Sequence, residues 1–150
     1  MNEIENNQWI AHYRTDQPNF GLERMVELLE LRGNPHLKLK VIHIGGTNGK
    51  GSTIAFLKNM LVKLGLRVGV FSSPYLIHYT DQISINGKSI SEVKLEALLA
   101  DYESLLEGEK SAVLQGTTEF EIITALAYDY FAAEKVDVAI MEVGMGGLLD

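Results

Sequence analysis

Val41-Ile42-His43-Ile44-Gly45-Gly46-Thr47-Asn48-Gly49-Lys50-Gly51-Ser52-Thr53 is a short apolar run, then a glycine-rich turn, then a lysine and two hydroxyls. A β-branched run that stops at glycines reads as a buried strand. The segment that follows, Ser52–Leu64, puts Leu57, Met60, Leu61 and Leu64 on one helical face, with Gly65 at the position just past the end. The order is therefore strand, glycine turn, helix. Glycines let the backbone wrap a phosphate chain, and the helix start aims free N–H groups and the positive end of its dipole at it. Lys50 would neutralise β- and γ-phosphate oxygens, and a hydroxyl of Ser52 or Thr53 would reach Mg²⁺. The strict G-x-x-x-x-G-K-[ST] pattern fails, because its first glycine falls on Ile44 and Gly51 takes the hydroxyl position, leaving Ser52 one residue late. The bland alternative is a glycine-rich turn with an incidental lysine.

Outward from this stretch, Leu22–Leu31 has helical periodicity and ends at Gly33 and Pro35, and a further helical stretch covers Ile4–Tyr13. Val68-Gly69-Val70-Phe71 reads as a second strand. Gln82–Ile90 alternates Ile83 and Ile85 around Asn86-Gly87, a hairpin signal. A helix is expected from Ser91 to Leu106. Thr118-Glu119-Phe120-Glu121 has capping-box spacing and opens a helix to Glu134. Val136–Met141 is a third apolar strand, followed by Glu142. Three such strands separated by helices predict an α/β fold, a P-loop-containing parallel sheet with helices on both faces. The chain stops just past a strand, at Gly147-Leu148-Leu149-Asp150, and reads as truncated.

Composition narrows the function. With 150 residues, 46% hydrophobic and 22% charged, the chain is expected to form one soluble domain with its own core. The absence of cysteine excludes disulfides, thiolate zinc sites and a cysteine nucleophile. A net charge of −7 argues against nucleic-acid binding, so local donors must hold any anion. No apolar run is long enough for a membrane span and the acidic start is unlike a signal peptide; a cytoplasmic location is expected.

Glu142 stands at the carboxyl end of a strand, the edge where open α/β sheets bind ligands, and could coordinate Mg²⁺ or orient a water; a strand-end acid can also be merely solvated. Ser73, on the same edge, reads from the residues alone as a loop serine before Pro74. Gly144-Met145-Gly146-Gly147 fails the dinucleotide spacing, since the third glycine would be Leu149. His12, His36, His43 and His78 lack metal-ligand spacing; His43 is expected to be a hydrogen-bonded core histidine. Phe56, Phe120 and Phe131 are expected to pack.

Taken in order, Gly21-Leu22-Glu23-Arg24-Met25, Gly33-Asn34-Pro35, Ile42-His43-Ile44, Gly46-Thr47-Asn48-Gly49-Lys50-Gly51-Ser52, Ser73-Pro74-Tyr75-Leu76, Ile83-Ser84-Ile85-Asn86-Gly87, Phe120-Glu121 and Glu142-Val143-Gly144-Met145-Gly146-Gly147 resemble the folylpolyglutamate synthase/dihydrofolate synthase family. Gly51 after the lysine separates the chain from the related Mur ligases, which look like G-T-N-G-K-T there. The resemblance implies an ATP-dependent amide ligase: ATP phosphorylates a folate carboxylate, and the amine of L-glutamate attacks the acyl phosphate. It implies that Gly46, Thr47, Asn48, Gly49, Lys50, Gly51, Ser52 and Thr53 bind ATP, with Lys50 and Glu142 the catalytic candidates. It also implies that Ser52, Ser73 and Glu142 hold Mg²⁺ and that Pro74, Tyr75, Leu76 and Gln82 belong to a loop near the folate, whether tetrahydrofolate or dihydropteroate. Tyr75 stands where the family has histidine, Thr80-Asp81-Gln82-Ile83 where it has Asn-Glu-Arg-Ile, and Leu148 where it has arginine. By this likeness the chain is the N-terminal portion of a Mur-ligase-like ATP-binding domain, without the C-terminal glutamate domain, cut from a monomeric parent and inactive alone. The alternative is a nucleotide-binding module without ligase turnover.

Overall fold

A computed structural model describes residues 9–14, 21–45, 50–73, 78–108 and 112–142. Among them are four longer helices, α1 (Glu23–Leu31), α2 (Lys50–Lys63), α3 (Glu92–Gly108) and α4 (Glu119–Ala133), and five strands, β1 (Val41–Ile44), β2 (Val68–Phe71), β3 (Ile83–Ile85), β4 (Lys88–Ser89) and β5 (Val138–Glu142). Short 3₁₀ turns cover Pro35–Lys38 and Tyr79–Gln82. The chain divides into two compact units, Met1–Pro35 with Ser91–Asp129, and His36–Ile90 with Tyr130–Asp150. The part of the expected first helix before residue 9 lies outside the described residues, and residues 9–11 are helical.

The second unit holds a sheet of order β1-β5-β2-β3-β4. β1, β5 and β2, the three strands expected to be parallel, are parallel: Ile44 is opposite Glu142, and Phe71 opposite Met141. The hairpin extends the same sheet antiparallel, with Phe71 opposite Ile83, so the sheet is mixed rather than parallel throughout. Asn86 and Gly87 both take positive φ, 49° and 82°, the conformation a tight two-residue hairpin needs. Asn86 also accepts from the Val68 N–H at 2.7 Å through Oδ1 and donates its own N–H to Val68 O at 2.9 Å, pinning the turn to β2.

Strand alternation sorts the sheet faces. Val68, Val70, Val138 and Ile140 join Ile54 of α2 in one buried cluster, lined by the partly buried Ile42, Ile44, Leu57 and Leu61. Gly69 and Ala139 point the other way, where the last turn of α4 sets Phe131. A Cβ on Gly69 would lie 2.7 Å from that ring, so only glycine permits the approach. Within this unit α2 covers one face of the sheet, and Phe131 lies against Gly69 on the other.

Several expectations need correcting. β5 comes last in sequence yet inserts between β1 and β2, which leaves β1 half-buried at the sheet edge rather than buried. His43 is consequently exposed, and is not a core histidine. α2 begins two residues early and turns Ile54, Leu57 and Leu61 to the sheet, while Phe56, Met60 and Leu64 are exposed at 69%, 46% and 73%. Its apolar residues surround the helix, so of the expected face Leu57 and Leu61 meet the sheet while Met60 and Leu64 do not.

In the first unit, Gly33 (φ 81°) ends α1 as expected and Asn34 (φ 54°) shares the turn, their N–H groups donating to the Glu30 and Leu29 carbonyls. The capping box is present: the Thr118 N–H donates to Glu121 Oε1 at 3.0 Å, and the Glu121 N–H donates to Thr118 Oγ1 at 3.2 Å. Arg24, distant in sequence, adds an ion pair to Glu121, Nε to Oε1 3.0 Å, with side chains 11% and 9% exposed. Asp129 accepts from Arg32 Nε at 2.9 Å and from the Tyr102 hydroxyl at 2.5 Å.

Candidate functional site

The carboxyl ends of the three parallel strands lie side by side, because parallel pairing brings Ile44, Glu142 and Phe71 to the same edge of the sheet. After β1, the chain passes Gly45 and re-enters described structure at Lys50, the first residue of α2. A fourteen-residue helix starting there presents the unpaired N–H groups of its first turn toward that edge of the topology. Gly51, Ser52 and Thr53 form that first turn and are exposed.

Ser73 follows β2 by two residues, and its backbone N–H donates to Glu142 Oε2. Glu142 is half-buried there, at the end of a strand whose other residues are buried. The structure therefore brings together Glu142 and Ser73, two residues far apart in sequence. The contact holds the Glu142 carboxylate at the carboxyl edge of the parallel strands through a neutral donor.

This donor set suits one kind of cation. Among the described residues no three His, Asp or Glu side chains gather into a metal cage. Among the described residues the edge offers the Glu142 carboxylate with Ser73 bonded to it, and Ser52 stands in the first turn of the helix that follows β1. Mg²⁺ is commonly held in this way, by one or two carboxylates with waters and substrate phosphates completing its shell.

Gln82, expected in a substrate loop, closes the 3₁₀ turn ahead of β3 and is buried. Its Nε2 donates to Ser72 O at 3.2 Å, and its backbone O accepts from the Ser72 N–H at 2.9 Å. No spacing rule points to this pairing, which forms because β2 and β3 are antiparallel neighbours. Gly46, Thr47, Asn48, Gly49, Pro74, Tyr75, Leu76 and the Gly144–Gly147 run lie outside the described residues. No helix of the described residues is long and apolar enough to cross a membrane.

No protein-family model matches the chain. Individual relatives do. The dihydrofolate synthase/folylpolyglutamate synthase of Bacillus subtilis is 44% identical over 131 residues, which are 87% of this chain and 30% of that protein. The crystal structure of folylpolyglutamate synthase from Thermotoga maritima superposes with a TM-score of 0.88 at 41% identity, covering 99% of this chain and 34% of that one. A structure described as an FPGS-AMPPCP-folate complex gives a TM-score of 0.90 at 36% identity, over 100% of this chain and 37% of that one. The chain spans about a third of the length of these relatives. Agreement this close in sequence and in fold makes the chain a homologue of the N-terminal portion of the folylpolyglutamate and dihydrofolate synthases.

Proposed function

We propose that these residues form the nucleotide-binding part of an ATP-dependent ligase that joins L-glutamate to a folate carboxylate. The observation that carries this reading is the Ser73–Glu142 contact at the strand edge from which the glycine loop and α2 depart. It is supported by the superposition on a relative complexed with AMPPCP, an ATP analogue, and folate. The relatives are about three times as long as this chain, so the part assigned to these residues is ATP binding and phosphoryl positioning.

In this reading Gly46, Thr47, Asn48, Gly49 and Gly51 let the backbone follow the phosphates, while Lys50, first in α2, neutralises β/γ oxygens and Thr53 adds a hydroxyl donor. Ser52, Ser73 and Glu142 would hold Mg²⁺, which supplies further neutralisation of phosphate charge. The γ-phosphoryl group passes to the folate carboxylate oxygen with ADP leaving; the glutamate amine then attacks the acyl carbon, loses its proton and expels phosphate. Both steps need alignment and charge neutralisation more than a protein nucleophile. Pro74, Tyr75 and Leu76 belong to the folate side of the site, while Gln82, buried with its amide on Ser72 O, supports the strand edge rather than meeting the folate. The site works in the cytoplasm, in a monomeric protein, on small molecules rather than on nucleic acid or membrane.

Calorimetry with AMPPCP tests the reading. Lys50→Ala removes a charge-assisted contact, so affinity should fall about 10- to 150-fold while the circular dichroism spectrum is unchanged. Equal affinity for both proteins overturns the assignment.

A further inference from the structure

We propose that Gln82 is a positioning residue for Glu142, acting through the peptide unit between Ser72 and Ser73. That unit is held at both ends. Its carbonyl, Ser72 O, accepts from Gln82 Nε2 at 3.2 Å, and its N–H, on Ser73, donates to Glu142 Oε2. A peptide unit is planar, so fixing the direction of its C=O fixes the opposite direction of its N–H. Accepting a hydrogen bond at the oxygen also polarises the unit and strengthens its N–H as a donor. The Gln82 amide therefore both aims and strengthens the group that grips Glu142.

The neighbouring backbone bond cannot do this. The Ser72 N–H to Gln82 O bond, 2.9 Å, prolongs the β2–β3 ladder by one position past the Phe71–Ile83 pair, but it belongs to the preceding peptide unit. Of the two bonds between Gln82 and Ser72, the one from the side chain is the one on the unit that carries the Ser73 N–H. At 5% exposure that amide is shielded from water, which would otherwise compete for the same carbonyl. Ser72, Ser73, Gln82 and Glu142 all belong to the second unit.

The purpose assigned to Gln82 rests on Glu142 facing a metal-bound nucleotide, and two readouts separate the positioning from that reading. Gln82→Met keeps length and removes the donor; Gln82→Asn keeps the amide, shortens its reach and serves should the methionine variant not fold. In the ligand-free full chain, the Ser73 amide proton should move upfield and exchange about three- to tenfold faster in Gln82→Met, with a smaller change in Gln82→Asn. In calorimetry, the gain in AMPPCP affinity on adding Mg²⁺ should fall about three- to tenfold in Gln82→Met, metal-free affinity staying the same. The losses should not add in full when Gln82→Met is combined with Glu142→Gln, since one acts through the other. A Ser73 amide that stays put in both variants, or fully additive losses, overturns the positioning. A wild-type chain whose AMPPCP affinity ignores Mg²⁺ overturns the metal reading and with it the purpose given to Gln82, whatever the amide does.

Discussion

Glu121, in the first turn of α4, accepts from Arg24 Nε at 3.0 and 3.2 Å and from the Thr118 N–H at 3.0 Å, whereas Glu142, the last residue of β5, accepts from the Ser73 N–H at the sheet edge. The first carboxylate is buried among a cation and a helix cap; the second is half-buried at a strand end. A guanidinium cancels the charge it binds, and a backbone N–H only orients it. Asp129, which accepts from both Arg32 and the buried Tyr102 hydroxyl, is of the first kind. Carboxylates closed by arginine in the interior hold a fold together, whereas an acid half-buried at the carboxyl edge of the parallel strands lies where a cation could reach it. The contrast predicts how unequal the consequences of removing each partner should be.

Arg24→Met should break the closed arrangement most severely. It leaves Glu121 charged and buried, and removing one member of a buried pair costs about 3–5 kcal/mol. Urea unfolding at pH 7 should register that loss as a lower midpoint. A loss below about 1 kcal/mol would mean that water reaches Glu121, and the distinction between the two glutamates would collapse.

Tyr102→Phe should cost less, about 1–2 kcal/mol, because Asp129 keeps Arg32 when the hydroxyl is removed. Its pH dependence sharpens the comparison. Burial first, then the hydrogen bond to Asp129 and its charge, push the Tyr102 phenol far above its ordinary range. The folded chain thus keeps a proton that the unfolded chain sheds from about pH 10 upward. The contribution of Tyr102 is complete below that pH and is lost as the pH climbs beyond it. Between pH 7 and pH 11 the wild-type urea midpoint should fall more steeply than that of Tyr102→Phe. Parallel slopes would place the titration elsewhere.

Legibility in the sequence followed the range of the interaction. β2 and the hairpin announced themselves through short apolar runs, glycines and Asn86-Gly87, and the Thr118–Glu121 box lies within four residues. All are local. The central place of β5 was not visible, because strand order is set by packing after the chain has folded back, and that order exposes His43. Nor could α2 reveal which of its apolar stripes faces the sheet, since Phe56 and Met60 are as hydrophobic as Leu57 and Leu61. At the candidate site, Glu142 was visible as an acid ending an apolar strand, but its bond to Ser73 spans 69 residues and the grip of Gln82 on Ser72 crosses two strands. Arg24 and Glu121 are 97 residues apart, and nothing near either names the other.

The smallest stability effect is expected at Glu142, where function should suffer most. Glu142→Gln keeps an oxygen in place for the Ser73 N–H, so the contact survives as a neutral hydrogen bond, roughly half as strong as the charged one. Unlike Arg24→Met, it leaves no charged carboxylate buried in the interior, and stability should fall by no more than about 1 kcal/mol in the same urea experiment. The charge itself is what a cation at the strand edge would use, so the gain in AMPPCP affinity on adding Mg²⁺ should shrink while metal-free affinity holds. A stability loss as large as that of Arg24→Met would make Glu142 a second closed carboxylate, and an unchanged response to Mg²⁺ would leave it oriented by Ser73 but without a metal to meet.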